Sequence, residues 1–404
     1  MNILVLDTIH GGDVIGKEFA VAGHQVDTVD VYRNESTIDV STALQRSYDL
    51  IVAPVHLDPD HVLLRSPKAN VISHHDAVRR LIGKFIPKPM IEITGSKGKT
   101  TTAFALAHIM KSTGILHTSA GTFLYPDRQQ LWKKSITPAS VLGAVKEATK
   151  ISGWLIAEES LGVTGAGSLA IITSSDDYVF AAGKKRALEE KLKSAKNCDK
   201  VLLAPGIEPT SSKMIQLEDI THCSGTVCHI ESNKMSEIFY NPLLKLEGYR
   251  IPLMLAGTAA CLMGIKPSLL SNFQAIGGRL SIHQIHNVVI VDNANSGTNS
   301  MTTIEAAKYA RMIAGSHNLT LVIGKETANG AVCEGFPDNQ IIEAIRAIKP
   351  NHVILVGHSL LDKQVLHIFN ENNIVRIPTL TEARDVALSI TKNGSIVLGV
   401  KTWR

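Results

Sequence analysis

Short runs of apolar, β-branched residues alternate with amphipathic stretches along almost the whole chain, the pattern of α/β domains built on parallel sheets. Residues 3–6, 25–31, 50–53 and 70–73 predict four strands of a first unit. The segment GKFIPKPM at 83–90 carries two prolines and two lysines and reads as a linker. Strands near Ile91, Leu155, Ala170 and Val201, short strands between Gln216 and Ile230, and a helix over 252–263 follow, until Gly264 and Pro267 mark a break. From Gly277 a third alternation runs through strands at 288–292, 319–323, 352–356, 375–377 and 396–399. The expected division is 1–86, 87–268 and 277–404, and 404 residues accommodate three domains at roughly 100 to 200 residues each.

Composition narrows the function. Hydrophobic residues make up 44% and charged ones 19%, which excludes a disordered chain. Lys plus Arg number 41 against 37 for Asp plus Glu, without a dense basic run, which favours small anionic ligands over nucleic acid. The five cysteines, Cys198, Cys223, Cys228, Cys261 and Cys333, lack CxxC spacing and fit a reduced, cytoplasmic setting. His222-Cys223 and Cys228-His229 read as strand residues before they read as a zinc site. The N-terminus has no basic region before its apolar run and no segment reaches 18 apolar residues, so neither export nor membrane insertion is expected.

Two glycine-rich turns carry candidate chemistry. Gly11, Gly12 and Gly16, with Asp30 further on, form a degraded dinucleotide fingerprint that does not match GxGxxG, and a first turn that simply needs glycine explains them better. The stronger signal is MIEITGSKGKTTTAFALAHIM, in which an apolar strand turns through Gly95, Ser96, Lys97 and Gly98 into a helix starting near Lys99. Glycines there allow backbone amides to point at phosphate oxygens, and the helix N-terminus adds its positive dipole end. Lys99 then reaches the terminal phosphates of ATP and the Thr100 hydroxyl ligates Mg²⁺, with Thr101 next in the same turn.

Only two residues separate Gly95 from Gly98, and two further threonines follow Thr100. This TGxxGKT form resembles the Mur ligase family and the folylpolyglutamate synthetases. The resemblance implies a three-domain architecture: a Rossmann-like N-terminal domain, a central phosphate-loop ATPase domain and a C-terminal Rossmann-like α/β domain. It implies a cytoplasmic enzyme, monomer or homodimer, that activates a carboxylate as an acyl phosphate and releases ADP. In GWLIAEESLG, Glu158 stands at the family's Mg²⁺-binding position, and a continuing strand would turn Glu159 to the opposite side. In TSSDDYVFAAGKK, Asp176 and Asp177 replace the family's Asn and Asp-His, and Lys184, with Lys185 as competitor, is the counterpart of a lysine that becomes carbamylated and supports a metal. Gly278 and Arg279 open a segment whose Asp292 and Ala294 match the arm that closes over ATP in the family, with Asn293, Asn295, Ser296 and Gly297 in place of its Tyr, His, Asn and Pro. The resemblance implies Asp292 and Asn295 near the nucleotide and Arg279 near the phosphates. An Asx-turn at a strand end is the alternative role for Asp292.

The runs HTSAGT, KKSITPAS and AEESLGVTGAG further resemble the Mur-like family of coenzyme F-430 synthetases, which complete a nickel tetrapyrrole. That resemblance implies a nickel tetrapyrrole as substrate, with a propionate acyl phosphate attacked intramolecularly by a ring carbon and no amino acid consumed. Carbon attack requires removal of a proton, for which His117 is a candidate base, against the commoner role of a satisfied interior histidine. Two other readings stay open: an amide-forming ligase acting on a nucleotide- or pterin-linked carboxylate, and a non-catalytic ATP-binding switch.

Overall fold

A computed structural model of the protein describes all residues except 33–37, 66–68, 234, 296, 327–335, 358–373 and 403–404. Two compact units emerge, one of residues 1–244 with 249–273 and the other of residues 245–248 with 274–404. Cys333 and Ser296 lie outside the described residues.

The first unit opens with a four-stranded parallel sheet of β1 (Asn2–Leu6), β2 (Gln25–Val29), β3 (Leu50–Ala53) and β4 (Asn70–Ser73) in the order β2-β1-β3-β4. Helix α1 (Asp13–Val21) follows β1, a short α2 (Val40–Leu44) precedes β3, and α3 (His74–Ile82) follows β4. The Ser73 side chain caps α3 by accepting from the Asp76 amide.

A second, eight-stranded sheet carries β5 (Met90–Thr94), β6 (Gly114–Thr118), β7 (Gly121–Tyr125), β8 (Gln129–Trp132), β9 (Trp154–Glu158) and β10 (Leu169–Ile172). A two-stranded ribbon, β11 (Val179–Phe180) with β12 (Lys185–Arg186), precedes its last strands, β13 (Lys200–Leu203) and β14 (Met214–Gln216). The order is β14-β13-β10-β5-β9-β6-β7-β8, parallel from β14 to β6 and antiparallel beyond. Helices α4 (Lys99–Ile109), α5 (Pro138–Lys150) and α6 (Ala187–Ala195) lie between strands in sequence, and a three-stranded sheet of β15 (Thr221–Ser224), β16 (Val227–Glu231) and β17 (Ser236–Tyr240) follows.

The two large sheets of this unit share one core. Ile3, Val5, Ile15, Val52 and Val78 bury with Met90, Ile115, Val141, Val145 and Leu155 in a single cluster, and α3 packs on α5. Burying side chains of this size contributes about 1.5–3 kcal/mol each, so the 83–90 segment, expected as a linker, joins two sheets with a common interior. Ile86 itself packs against that cluster. Composition marked the turn but could not show that the apolar face of α3 has α5 as its partner.

The second unit has a six-stranded sheet in the order β18-β19-β23-β20-β21-β22. An antiparallel hairpin of β18 (Ser281–Ile285) and β19 (Val288–Asp292) is joined by the parallel strands β20 (Leu319–Lys325), β21 (His352–Val356), β22 (Ile374–Ile377) and β23 (Gly394–Lys401). Its central strands are apolar on both faces, as a covered parallel sheet requires: Ile290, Val322, Ile354, Ile396 and Leu398 form a core with Ala383 and Ala387 on one face, and Val291, Leu321, Ile323, Val353 and Val397 are buried on the other. The α/β expectation holds throughout.

Three local expectations are corrected. The helix predicted from 252 runs over Glu247–Leu262, with Pro252 inside it, so that proline does not mark its start. Cys223 and Cys228, expected as unpaired thiols, face each other across β15 and β16 and form a disulfide, which removes them as zinc ligands. In the first turn the Ile9 and His10 amides, which a phosphate would need, donate to Asp7 Oδ1 at 3.1 and 3.2 Å. With that carboxylate fully buried, the turn carries an internal anion and is no dinucleotide cradle.

Candidate nucleotide and metal site

The loop between β5 and α4 is shaped by its glycines. Gly95 has φ +149° and a Cβ there would lie 2.2 Å from Thr173 Oγ1, while Gly98 has φ +83° and leads directly into Lys99. No side chain caps α4, so its N-terminal dipole is left facing the loop. The loop is braced from β10 and the residues after it: Thr173 Oγ1 donates to Lys97 O at 2.5 Å, and the Ser96 amide donates to Ser174 Oγ at 3.0 Å.

Lys99, Thr100 and Glu158 come together at this point. The Thr100 hydroxyl donates to the Glu158 carboxylate at 2.9 and 3.1 Å, and the Ser119 amide donates to the same carboxylate at 3.0 Å. Lys99 Nζ donates to Gly95 O at 2.9 Å and stands 4.0 Å from Glu158 Oε1. Thr100 and Glu158 are 3% and 2% exposed. Two hard oxygen donors beside an uncapped helix start are a donor set suited to Mg²⁺, with Ser119 Oγ, 3.2 Å from Thr100 Oγ1, as a third oxygen at hand. Thr101 is buried in the same helical turn.

Glu159 turns the other way, as strand alternation predicts. It accepts from the Thr164 amide at 3.0 Å beside Glu92, and burial together with the Glu92 charge pushes its carboxyl well above the ordinary range. Asp176 pairs with Lys97 at 3.3 Å, and Asp177 accepts from the Leu188 amide at 2.8 Å at the start of α6.

Two expected roles are corrected by geometry. Lys184 is exposed and bridges Asp58 at 2.7 Å and Asp60, whose hydrogen bonds and charges raise its pKa. Carbamylation needs a neutral amine, and this one is held as a cation between two carboxylates. Lys185, the competitor, donates to Val55 O at 2.9 Å. His117 is fully buried, its Nδ1 2.8 Å from Thr122 Oγ1 and its Nε2 2.9 Å from Ser140 Oγ. Burial lowers its pKa to about 4. Both ring nitrogens are engaged inside the protein, so His117 is a satisfied interior histidine with no face for a substrate.

The residue that sequence reasoning missed is Lys191. It is 1% exposed, donates to Ser96 Oγ at 3.0 Å, and lies with its ammonium 5.4 Å from the centre of the Tyr178 ring. Burial and the neighbouring Lys99 charge lower its pKa to about 8. One signal was available: Lys191 stands four residues from both Ala187 and Ala195, the other buried positions of α6, and so puts a lysine on the apolar face.

In the second unit, Asp292 ends β19 and its Oδ1 accepts from the Ala294 amide at 3.0 Å, the Asx-turn alternative. Asn295 Nδ2 donates to Gly278 O at 2.6 Å, which ties the turn bearing Arg279 to the end of β19. Arg279 is half-buried, and its amide donates to Ile276 O at 2.8 Å.

Residues 282–402 match the family model described as "Coenzyme F430 synthetase CfbE, C-terminal domain". A coenzyme F(430) synthetase of Methanosarcina acetivorans is 29% identical across 89% of this chain and 90% of its own length. Among solved structures, MurF from Acinetobacter baumannii superposes with a TM-score of 0.57 at 14% identity, covering 89% of this chain and 83% of that one. The MurF ligase from Thermotoga maritima, solved in complex with ADP, gives 0.51 at 15% identity over 90% and 87% of the two chains. The chain therefore has the Mur-ligase-like fold, and in sequence it is similar to the coenzyme F430 synthetases.

Proposed function

We propose that this protein is an ATP-dependent, ADP-forming ligase of F430 biosynthesis that closes the last carbocycle of a nickel tetrapyrrole. The observation that carries the ligase reading is the convergence of Lys99, Thr100 and Glu158 on the glycine loop. The tetrapyrrole reading rests on the names of the relatives.

A carboxylate resists nucleophiles because it is charged and its oxide is a poor leaving group. In the proposed first step an oxygen of the substrate propionate attacks the γ-phosphorus of ATP and ADP leaves. A ring carbon of the same substrate then attacks the acyl carbon, phosphate departs, and the carbon's proton passes to a base. Lys99 and the loop amides balance charge on the transferring phosphoryl group. Thr100 and Glu158 would hold Mg²⁺, which when bound shields the phosphates' negative charge. Lys191, rather than Lys184, is our candidate for the carbamylated, metal-supporting lysine, because its lowered pKa keeps a larger neutral fraction near pH 8. Residues 1–86, 87–268 and 277–404 are the proposed functional parts, the first two sharing one interior. Arg279, Asp292 and Asn295 are proposed as nucleotide-binding residues of the third.

The test is ADP release from purified protein with ATP, Mg²⁺ and the open-ring nickel tetrapyrrole acid as the sole organic substrate. Stoichiometric ADP and closed-ring product are expected. ADP formed only when an amino acid is added would replace this reading with an amide-forming one.

A further inference from the structure

The geometry points to a second metal site, for a divalent first-row transition ion, held by Asp7 Oδ2 and one ring nitrogen each of His10 and His56. It uses no residue of the phosphate loop and does not rest on the ligase reading.

The first sheet sets the place. From β1 the chain moves outward to β2 and then returns to the other side of β1 as β3, so the strand order reverses between β1 and β3. Parallel sheets bind ligands beyond the carboxyl ends of the strands at such a reversal. Asp7 and His10 follow β1, and His56 follows β3. The turn is built to hold Asp7 there. Asp7 has φ 69° and ψ 88°, a left-handed conformation that non-glycine residues seldom adopt. Gly12 must be glycine for the same reason, since a Cβ on it would lie 2.2 Å from Asp7 O.

The donors converge. His10 Nδ1 lies 2.6 Å from Asp7 Oδ2 and His56 Nε2 lies 3.3 Å from the same oxygen. A tetrahedral ion with bonds of about 2.0–2.2 Å spaces its ligands roughly 3.3–3.6 Å apart. The His56 spacing is already that, and His56 Nε2 is a buried nitrogen without a hydrogen-bond partner. The His10 contact is a hydrogen bond whose shared proton an ion would replace, with the half-exposed His10 ring moving out by several tenths of an ångström. Among the described residues this is the group of three whose donor atoms all lie within 4.8 Å of one another. Two imidazoles and one carboxylate suit Zn²⁺, Co²⁺, Ni²⁺ or Fe²⁺ and suit Mg²⁺ poorly.

One side of the group stays open. His10 and His56 line a cavity of about 250 Å³ with Val55, His74, His75 and Pro138. His74 and His75 are fixed through Nε2 to Leu6 O and Ser160 O at 2.9 and 3.1 Å, which leaves them as walls. His75 Nδ1 is buried and without a hydrogen-bond partner. Three protein ligands with an open fourth position are the arrangement of a site that takes an exchangeable ligand.

Chelator-stripped full-length protein titrated with Co²⁺ tests this, by calorimetry and by the visible absorption of four- or five-coordinate cobalt. One ion per chain is expected, bound in the micromolar range or tighter, and retained against a hundredfold excess of Mg²⁺. His10→Ala and His56→Ala, at an exposed and a partly buried position, should keep the wild-type thermal melting point and each weaken binding at least about tenfold. Asp7→Asn should do the same where it folds. Cobalt binding that both histidine variants leave unchanged, binding that Mg²⁺ displaces, or no binding below millimolar concentration would each overturn the site.

Discussion

The Thr100 hydroxyl is hydrogen-bonded to both oxygens of Glu158, at 2.9 and 3.1 Å, across 58 residues of sequence. A threonine at the first turn of α4 and a glutamate at the end of β9 meet because β5 and β9 are adjacent parallel strands, paired Ile93 with Glu158. Glu158→Gln keeps the shape and the acceptor for Thr100 but removes the charge that a hard cation needs. We expect turnover to fall at least about a hundredfold, with ATP affinity measured in the absence of Mg²⁺ within a few-fold of wild type. Turnover within tenfold of wild type would remove Glu158 from the metal site.

Lys184 and Lys191 make opposite predictions. Lys184 sits exposed between two aspartates, so Lys184→Ala should leave turnover within about twofold, surface ion pairs contributing little. Lys191 is buried against Ser96, and Lys191→Ala should lose at least about tenfold, with partial recovery on adding a short carboxylate such as propionate. A lysine of pKa about 8 becomes increasingly neutral as pH rises through that value. At limiting bicarbonate, wild-type turnover should therefore climb between pH 7 and 9. A flat profile, or recovery with amines in place of carboxylates, would assign Lys191 a role as a cation.

Strands and the phosphate loop were legible because their signals are local. Apolar runs bounded by turns located residues 50–53, 70–73, 288–292 and 352–356 with the bounds observed. What the sequence could not show was produced by tertiary packing. The common interior of the two sheets depends on Val78 and Val141 meeting from helices 63 positions apart, and no window contains both. Position in a family-like segment points to Lys184, with Lys185 as competitor, whereas burial on α6 brings Lys191 to the loop. The Asp7 turn looked like a nucleotide fingerprint because its glycines are real. Their reason, the carbonyl and carboxylate of Asp7, lies in the backbone geometry.

Gly95 gives a stability-independent check on the loop. Gly95→Ala places a methyl group against Thr173 Oγ1 at a φ of +149°, and Thr173 is the residue that braces Lys97 O. Gly264→Ala is the control, since Gly264 has φ +80° but open space around it. Both should lose about 1 kcal/mol or more from backbone strain. Only Gly95→Ala should also weaken ATP binding, by at least about tenfold. Equal ATP affinity in the two variants would mean the loop does not hold the nucleotide.

Acid should unfold this protein at a pH set by its interior histidines. His74, His75 and His117 are buried, and burial lowers each from the ordinary 6.5 to about 4. Between those values the unfolded chain binds protons that the folded chain refuses, so stability is complete above pH 6.5 and declines as pH falls towards 4. Each imidazole contributes about 3 kcal/mol to that loss, and three together match the total stability of an ordinary domain, roughly 5–15 kcal/mol. Urea unfolding at pH 7.5 and 5 should show a midpoint that drops steeply. His117→Gln, which can still reach Thr122 and Ser140 but cannot titrate, should make the fall shallower by about one proton. A midpoint that holds steady between pH 7.5 and 5 would mean that these imidazoles are not sealed from solvent.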